Sequence, residues 1–235
     1  MDPGHKRGCL VCGDRLEYGT VPGRATCYFC GDSYETETIC PQGHFVCDRC
    51  HRAPAEEIIS AYCSSTAETD PTAITRTLMD TPQVKMHGPE HHFLVPAALI
   101  ASYCNVTKKP DLKSRKIEQA HSRAELVKGG FCGSHGDCGA AVGTGIFVSL
   151  VTGATPLSRE EWRLSNLVTA KSLEAIALHG GPRCCKRNAF LAIMAAADFV
   201  KEHLGVSLPI KKPIQCTYSP LNAECLMADC PFYNG

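Results

Sequence analysis

From residue 91 onward apolar and polar positions alternate with a helical period; before residue 53 they do not. HHFLVPAALIASYC (91–104) is apolar on all sides, which predicts a buried helix with Pro96 near its start or kinking it. Residues 112–128 put Ile117, Ala120, Ala124 and Val127 on one face, with Gly129 as the stop. Ser158 and Glu161 have capping-box spacing and predict a helix over 159–178. Pro182 opens another, with Phe190, Ile193, Ala197, Val200 and Leu204 at helical spacing and Gly205 ending it. Residues 54–65 also read as helical, and Asp70-Pro71 reads as an N-cap followed by proline in the first turn. TPQVKMHGPE (81–90) is broken by proline and glycine, which predicts a domain boundary. No run past the N-terminal fifty residues alternates like a strand. The expected organisation is a small module at 1–52, a helical linker region at 53–90 and an all-α, cysteine-rich domain at 91–235.

The first 52 residues hold too few large apolar side chains for a core. They hold instead Cys9, Cys12, Cys27, Cys30, Cys40, His44, Cys47 and Cys50. Three of the pairs are C-x-x-C, the spacing at which two thiolates from one turn reach a single tetrahedral ion. The knuckle C-x-x-C-G-D occurs twice, and its glycine lets the chain fold back with amides toward the sulfurs. This predicts a zinc-ribbon or treble-clef-like module that binds two zinc ions and is ordered by them. Two ligand arrangements stay open. In the sequential one, Cys9, Cys12, Cys27 and Cys30 form the first site. In the interleaved one, Cys27 and Cys30 join Cys47 and Cys50, while Cys9 and Cys12 join Cys40 and His44. His51 competes with His44, which the spacing C-x-x-x-H-x-x-C favours.

Composition sets the chemistry of this module. MDPGHKRGCLVCGD has no apolar signal region and no stretch has the length of a membrane span. The expectation is a reducing cytoplasm, where 16 cysteines serve as ligands or reactive thiols more than as disulfides. Acidic and basic residues balance at 24 each, and residues 1–52 carry six Lys/Arg against seven Asp/Glu. Two zinc ions add four positive charges while seven thiolates remove seven, so the loaded module is a poor grip on phosphate and nucleic acid is not expected as a partner.

Of the nine remaining cysteines, Cys63 and Cys104 lie in apolar helical text and read as small core residues. Cys132, Cys138, Cys184, Cys185, Cys216, Cys225 and Cys230 lie beside turns or helix ends. Unpaired amides at a helix start lower a thiol's pKa, and Arg183, Lys186 and Arg187 reinforce this around Cys184 and Cys185. The same three cations suit an anionic substrate or cofactor. Two chemistries fit these thiols: an iron–sulfur cluster drawing four ligands from the set, or thiol chemistry with Cys184 or Cys185 as nucleophile and His179 as its acid/base group. Simple burial as inert residues is the third reading. His135 would neighbour a cluster at Cys132 and Cys138, and His91 or His92 with Glu90 offers an acid/base group at a helix start. CGAAVGTGIF lacks the lysine of a phosphate loop, so its small residues predict close helix packing.

FCGSHGDCGAAVGTGIFVSLVTGATPLS, GGPRCCKR and the tail C…N-x-x-C…CPF together resemble an uncharacterised domain family of anaerobic bacteria and archaea. Its members often start with such knuckles and with the element G-H-F-V-C-D-x-C-H at 43–51. CGAAVGTGIF is also similar to part of a redox family carrying a C-G-A-x-x-G element. The resemblance implies an anaerobic metal or redox setting, with a methyltransferase or radical-SAM-type enzyme as partner, and it supplies no reaction. The expected function is a cytoplasmic metalloprotein handling electrons or sulfur for a partner enzyme; the alternative is a non-catalytic adaptor.

Overall fold

A computed structural model of the chain describes residues 9–47, 50 and 54–234. The N-terminal part is an antiparallel hairpin of β1 (Glu17–Thr26) and β2 (Ser33–Ile39), with Gly23 opposite Thr36 and Thr26 opposite Ser33. Along β2 exposed and half-buried residues alternate and none is fully buried. A two-stranded hairpin without a buried face is marginal in water, so its order must come from its turns and from what it leans on.

The rest of the described chain is helical. Helices α1 (Ala55–Ser65), α2 (Pro71–Met79), α3 (Glu90–Val106), α4 (Lys113–Ala124) and the single turn α5 (Phe131–Ser134) are followed by three longer ones. These are α6 (Gly139–Thr152), α7 (Glu160–Ala177) and α8 (Cys185–Leu204). A tail with short 3-10 turns at Ser219–Leu221 and Met227–Asp229 closes the chain. Apolar on every side, α3 sits in the middle and packs against α1, α2, α4, α6 and α8. Its Leu94, Val95, Leu99 and Ile100 are fully buried, each worth roughly 1.5–3 kcal/mol of transfer free energy.

The glycines of α6 serve packing. A Cβ at Gly143 would fall 2.7 Å from Pro96 Cδ on α3, and one at Gly139 would fall on the His92 ring. Between α6 and α7 the approach is tied by a hydrogen bond between the Thr144 and Ser172 hydroxyls, 3.0 Å apart. Asp70 caps α2 as expected, accepting from the Thr72 and Ala73 amides, and its other oxygen accepts from the Lys211 amide at 2.9 Å. One carboxylate thus caps a helix and pins the tail.

Three expectations need revision. The capping box at Ser158 does not form: the Ser158 hydroxyl bonds to the Thr155 amide and hydroxyl instead, and α7 starts without a side-chain cap. The last helix starts at Cys185, three residues after Pro182. The segment 81–90 does not separate two bodies. Thr81, Val84 and Glu90 are buried, and the Met79 and Val84 carbonyls accept hydrogen bonds from Lys186 on α8. The N-terminal part also joins this core, because Cys27, Phe29, Cys47 and Cys50 cluster with Ile58, Ile59 and Tyr62.

Candidate functional site

Three turns of one design gather the N-terminal ligands. In Cys9–Asp14 the Cys9 amide donates to the Asp14 carbonyl and the Gly13 amide to the Cys9 carbonyl, both at 2.8 Å. Cys27–Asp32 repeats this, with Cys27 bonded to Asp32 at 2.8 Å and Gly31 to Cys27 at 2.9 Å. At Cys40–His44 the Gly43 amide returns to the Cys40 carbonyl at 2.8 Å. Gly13, Gly31 and Gly43 all have positive φ, between 76° and 84°, which only glycine adopts without strain.

These turns bring Cys9, Cys12, Cys40 and His44 into one tetrad and Cys27, Cys30, Cys47 and Cys50 into another, each with its ligand atoms within 4.8 Å of one another. The arrangement is the interleaved one, and the sequential alternative is excluded. Cys12 and Cys40 sulfurs are 3.4 Å apart, those of Cys30 and Cys47 3.9 Å, and His44 Nδ1 stands 3.8 Å from Cys40. A tetrahedral ion with metal–sulfur bonds of about 2.3 Å requires sulfur separations of about 3.8 Å, so both tetrads can hold a metal ion. Amides of Gln42 and Cys47 donate to the Cys40 and Cys27 sulfurs at 3.4 Å. His51 lies outside the described residues.

The second tetrad is plugged into the helical body. Tyr28, between Cys27 and Cys30, stacks on Tyr62 of α1 at 5.7 Å between ring centroids, and the Ser65 hydroxyl donates to the Phe29 carbonyl at 2.9 Å.

The seven other thiols all gather at the start of α8, in two chambers. Cys184, Cys216, Cys225 and Cys230 line a narrow, apolar-walled cavity together with Lys186, Arg187 and Tyr218. Cys132, Cys138 and Cys185 line an open cavity of about 840 Å³ with His87, His92 and Arg183. Cys184 and Cys185 are consecutive, yet each opens into a different chamber, and Arg187 borders both. Helix packing delivers the rest: α6 carries Cys138 as its N-cap residue beside α8, and the tail returns across α8 with the Cys216 amide bonded to the Phe232 carbonyl at 2.6 Å. Cys63 and Cys104 are buried core residues, as expected.

Charge and acidity differ from the expectation. Lys186 turns inward, donating to the Met79 and Val84 carbonyls at 3.0 and 3.1 Å with its ammonium 4.7 Å from the centre of the Tyr218 ring. Burial lowers its pKa to about 8, with Asp80 and Glu90 opposing. Arg187 is also buried and donates to the Gly180 and Pro182 carbonyls. Of the three expected anion-binding cations only Arg183 is exposed, at the open cavity. Burial pushes the Cys185 thiol up to about 11 against the Gly88 amide, and raises Cys184 against the Arg187 amide. Desolvation outweighs the helix start at both thiols, so neither is an activated free nucleophile.

Among the histidines, His179 bonds back to the Ala175 carbonyl at 2.8 Å and borders neither chamber. His135 bonds to the Ser134 hydroxyl and stays outside both. His91 is buried with Nε2 unpartnered, and burial lowers its pKa to about 3. His92 does face the open cavity, its Nδ1 bonded to the Val127 carbonyl at 2.9 Å. Asn188 escaped the sequence reading: its side-chain amide donates to the Cys138 sulfur at 3.6 Å. Its position three residues after Cys185, on the same helix face, was the available signal.

No helix among the described residues is long and apolar enough to cross a membrane. No curated protein and no solved structure matches the chain. A family profile does, over residues 59–233, which takes in every helix from the middle of α1 and both chambers but leaves the two tetrads outside. The helical body that gathers the seven thiols is therefore the shared unit, and the chain belongs to DUF5714, a family of unknown function.

Proposed function

We propose that the protein is a metalloprotein in which two zinc ions order the N-terminal module and the thiol chambers at the α8 start form an iron–sulfur centre that handles electrons or sulfur for a partner enzyme. The observation that carries this reading is the gathering of seven thiols, spread over a hundred residues of sequence, at one helix terminus. Inert cysteines would disperse through the core, as Cys63 and Cys104 do. The donor sets of the tetrads, three cysteines with one histidine and four cysteines, suit zinc. Arg183 and His92 at the open cavity suit an anionic substrate with a proton to move. The partner is an enzyme of the redox, methyltransferase or radical-SAM type and the setting is cytoplasmic; nucleic acid is not a partner.

Anaerobic purification followed by zinc, iron and acid-labile sulfide analysis tests the reading. Two zinc ions with iron and sulfide, and visible cluster absorbance, are expected; zinc alone rules out the cluster. The second reading, an adaptor, is favoured by Leu157 and Trp162, both largely exposed near the start of α7. A folded Cys184→Ser/Cys185→Ser double variant separates the two, since an adaptor keeps partner binding and its cellular role.

A further inference from the structure

Seven thiols are more than one centre uses, and the chambers divide them. We infer that Cys184, Cys216, Cys225 and Cys230 form a third, tetrathiolate metal centre, and that Cys132, Cys138 and Cys185 are not ligands but line the substrate cavity behind it. The inference deepens the proposed function and rests on it for the metal, though not for the ligand set.

Three observations converge. The first is amide geometry. Tyr218 N donates to the Cys216 sulfur at 3.3 Å, Met227 N to Cys225 at 3.4 Å and Arg187 N to Cys184 at 3.4 Å. The Gln42 amide on Cys40 in the first tetrad has the same two-residue offset and the same length as the Met227 amide on Cys225. Amides aimed at sulfur favour the thiolate and set its direction.

The second is charge. Lys186 and Arg187 border this chamber at 3 % and 4 % exposure. Among the described residues no carboxylate stands within ion-pair reach of either. Asp80 and Glu90 act on Lys186 only from beyond that reach, and buried cations held by carbonyls alone favour a nearby negative charge. Four thiolates around a doubly charged metal core leave a net charge of about −2, which matches them.

The third is placement by the tail. Cys216 is bridged to Tyr233 while the Tyr233 amide donates to the Cys230 carbonyl at 3.0 Å, which fixes these two cysteines side by side against the α8 start. Among the described residues only the two N-terminal tetrads have their ligand atoms within 4.8 Å of one another, so the four C-terminal sulfurs stand wider than one ion draws them. The space they enclose, about 20 Å³, is narrower than a cluster core fills. Loading therefore requires the sulfurs to shift within a tail held by the Cys216–Tyr233 bridge, the Tyr218 hydroxyl on Asp80 and short 3-10 turns.

Seven single serine variants of the full chain, purified anaerobically and reconstituted with ferrous iron and sulfide, test the assignment. Cys184→Ser, Cys216→Ser, Cys225→Ser and Cys230→Ser should each lose iron by more than about ten-fold while keeping two zinc ions. Cys132→Ser, Cys138→Ser and Cys185→Ser should retain it. Alkylation of the loaded wild type, read by mass spectrometry, guards against misfolded variants: the four should be protected, and Cys132 and Cys185 labelled. Three zinc ions and no iron in the wild type would keep the tetrathiolate site and remove the redox reading. Iron lost in Cys138→Ser and Cys185→Ser but kept in Cys216→Ser and Cys225→Ser would overturn the ligand set and leave that reading standing. Two zinc ions with nothing further bound and all seven cysteines alkylated would overturn both.

Discussion

The eight ligands of the N-terminal tetrads and the seven thiols at the α8 start are gathered by opposite means. Three of the four pairs of tetrad ligands come from one tight turn each, held by its own amides and one glycine, so three short turns do most of the assembly. The thiols at α8 own no such turns in common. Cys132 arrives on α5, Cys138 at the start of α6, Cys184 and Cys185 at the start of α8 and Cys216, Cys225 and Cys230 on the tail, and only the packed helical body brings them together. Local gathering leaves order dependent on the metal, because the hairpin buries no full face. Gathering by the fold leaves order dependent on the core and frees the thiols for other work.

Removing the metal is the largest perturbation that separates the two regions. Structural zinc in small fingers supplies about 10–16 kcal/mol of binding free energy, so a strong chelator should unfold the hairpin. Hydrogen exchange across residues 9–47 should approach that of an open chain while α3 and α8 stay protected; equal loss in α3 would break the comparison. The converse variant is Phe147→Ala, which empties a fully buried site on α6. It should cost about 3–5 kcal/mol in chemical denaturation and leave the metal content of the two tetrads unchanged. Asp70→Ala removes the cap of α2 and the anchor of the Lys211 amide together. A loss of about 1–3 kcal/mol is expected, with faster exchange at 211–218 and none at the hairpin.

The last expected effect is a pH dependence confined to the helical body, small within any one pH unit. His91 is held neutral down to about pH 3, whereas in the unfolded chain it protonates below about 6.5. Between these values the unfolded state binds more protons, so stability falls as pH drops, by up to about 1.4 kcal/mol per unit. Denaturation of His91→Gln beside the wild type at each pH between 7 and 4 should show a shallower slope in the variant. Parallel slopes would show that acid acts through groups other than His91.

The same division governs what could be read from the sequence. C-x-x-C-G-D states its turn, its glycine and its ligands within six residues, so the tetrad ligands were legible, though not their interleaving, which depends on strand pairing. Helices at 55–65, 90–106 and 185–204 followed from periodicity and apolar texture. Ser158 misled because a hydroxyl at capping spacing also suits a turn. Lys186 misled for a different reason: a helical position states which face a side chain takes, and only the packing of residues 79–84 against α8 shows that this face is interior. The split of the thiols into two chambers depends on that same packing, so no spacing rule could have given it.

A partition one residue thick has no room for insulation. With Cys184 on one side and Cys185 on the other, the two compartments are separated by a single peptide unit spanning about 3.8 Å. The two compartments are neighbours along the covalent chain itself, and an insertion of even one residue at that point would set their thiols a further peptide unit apart.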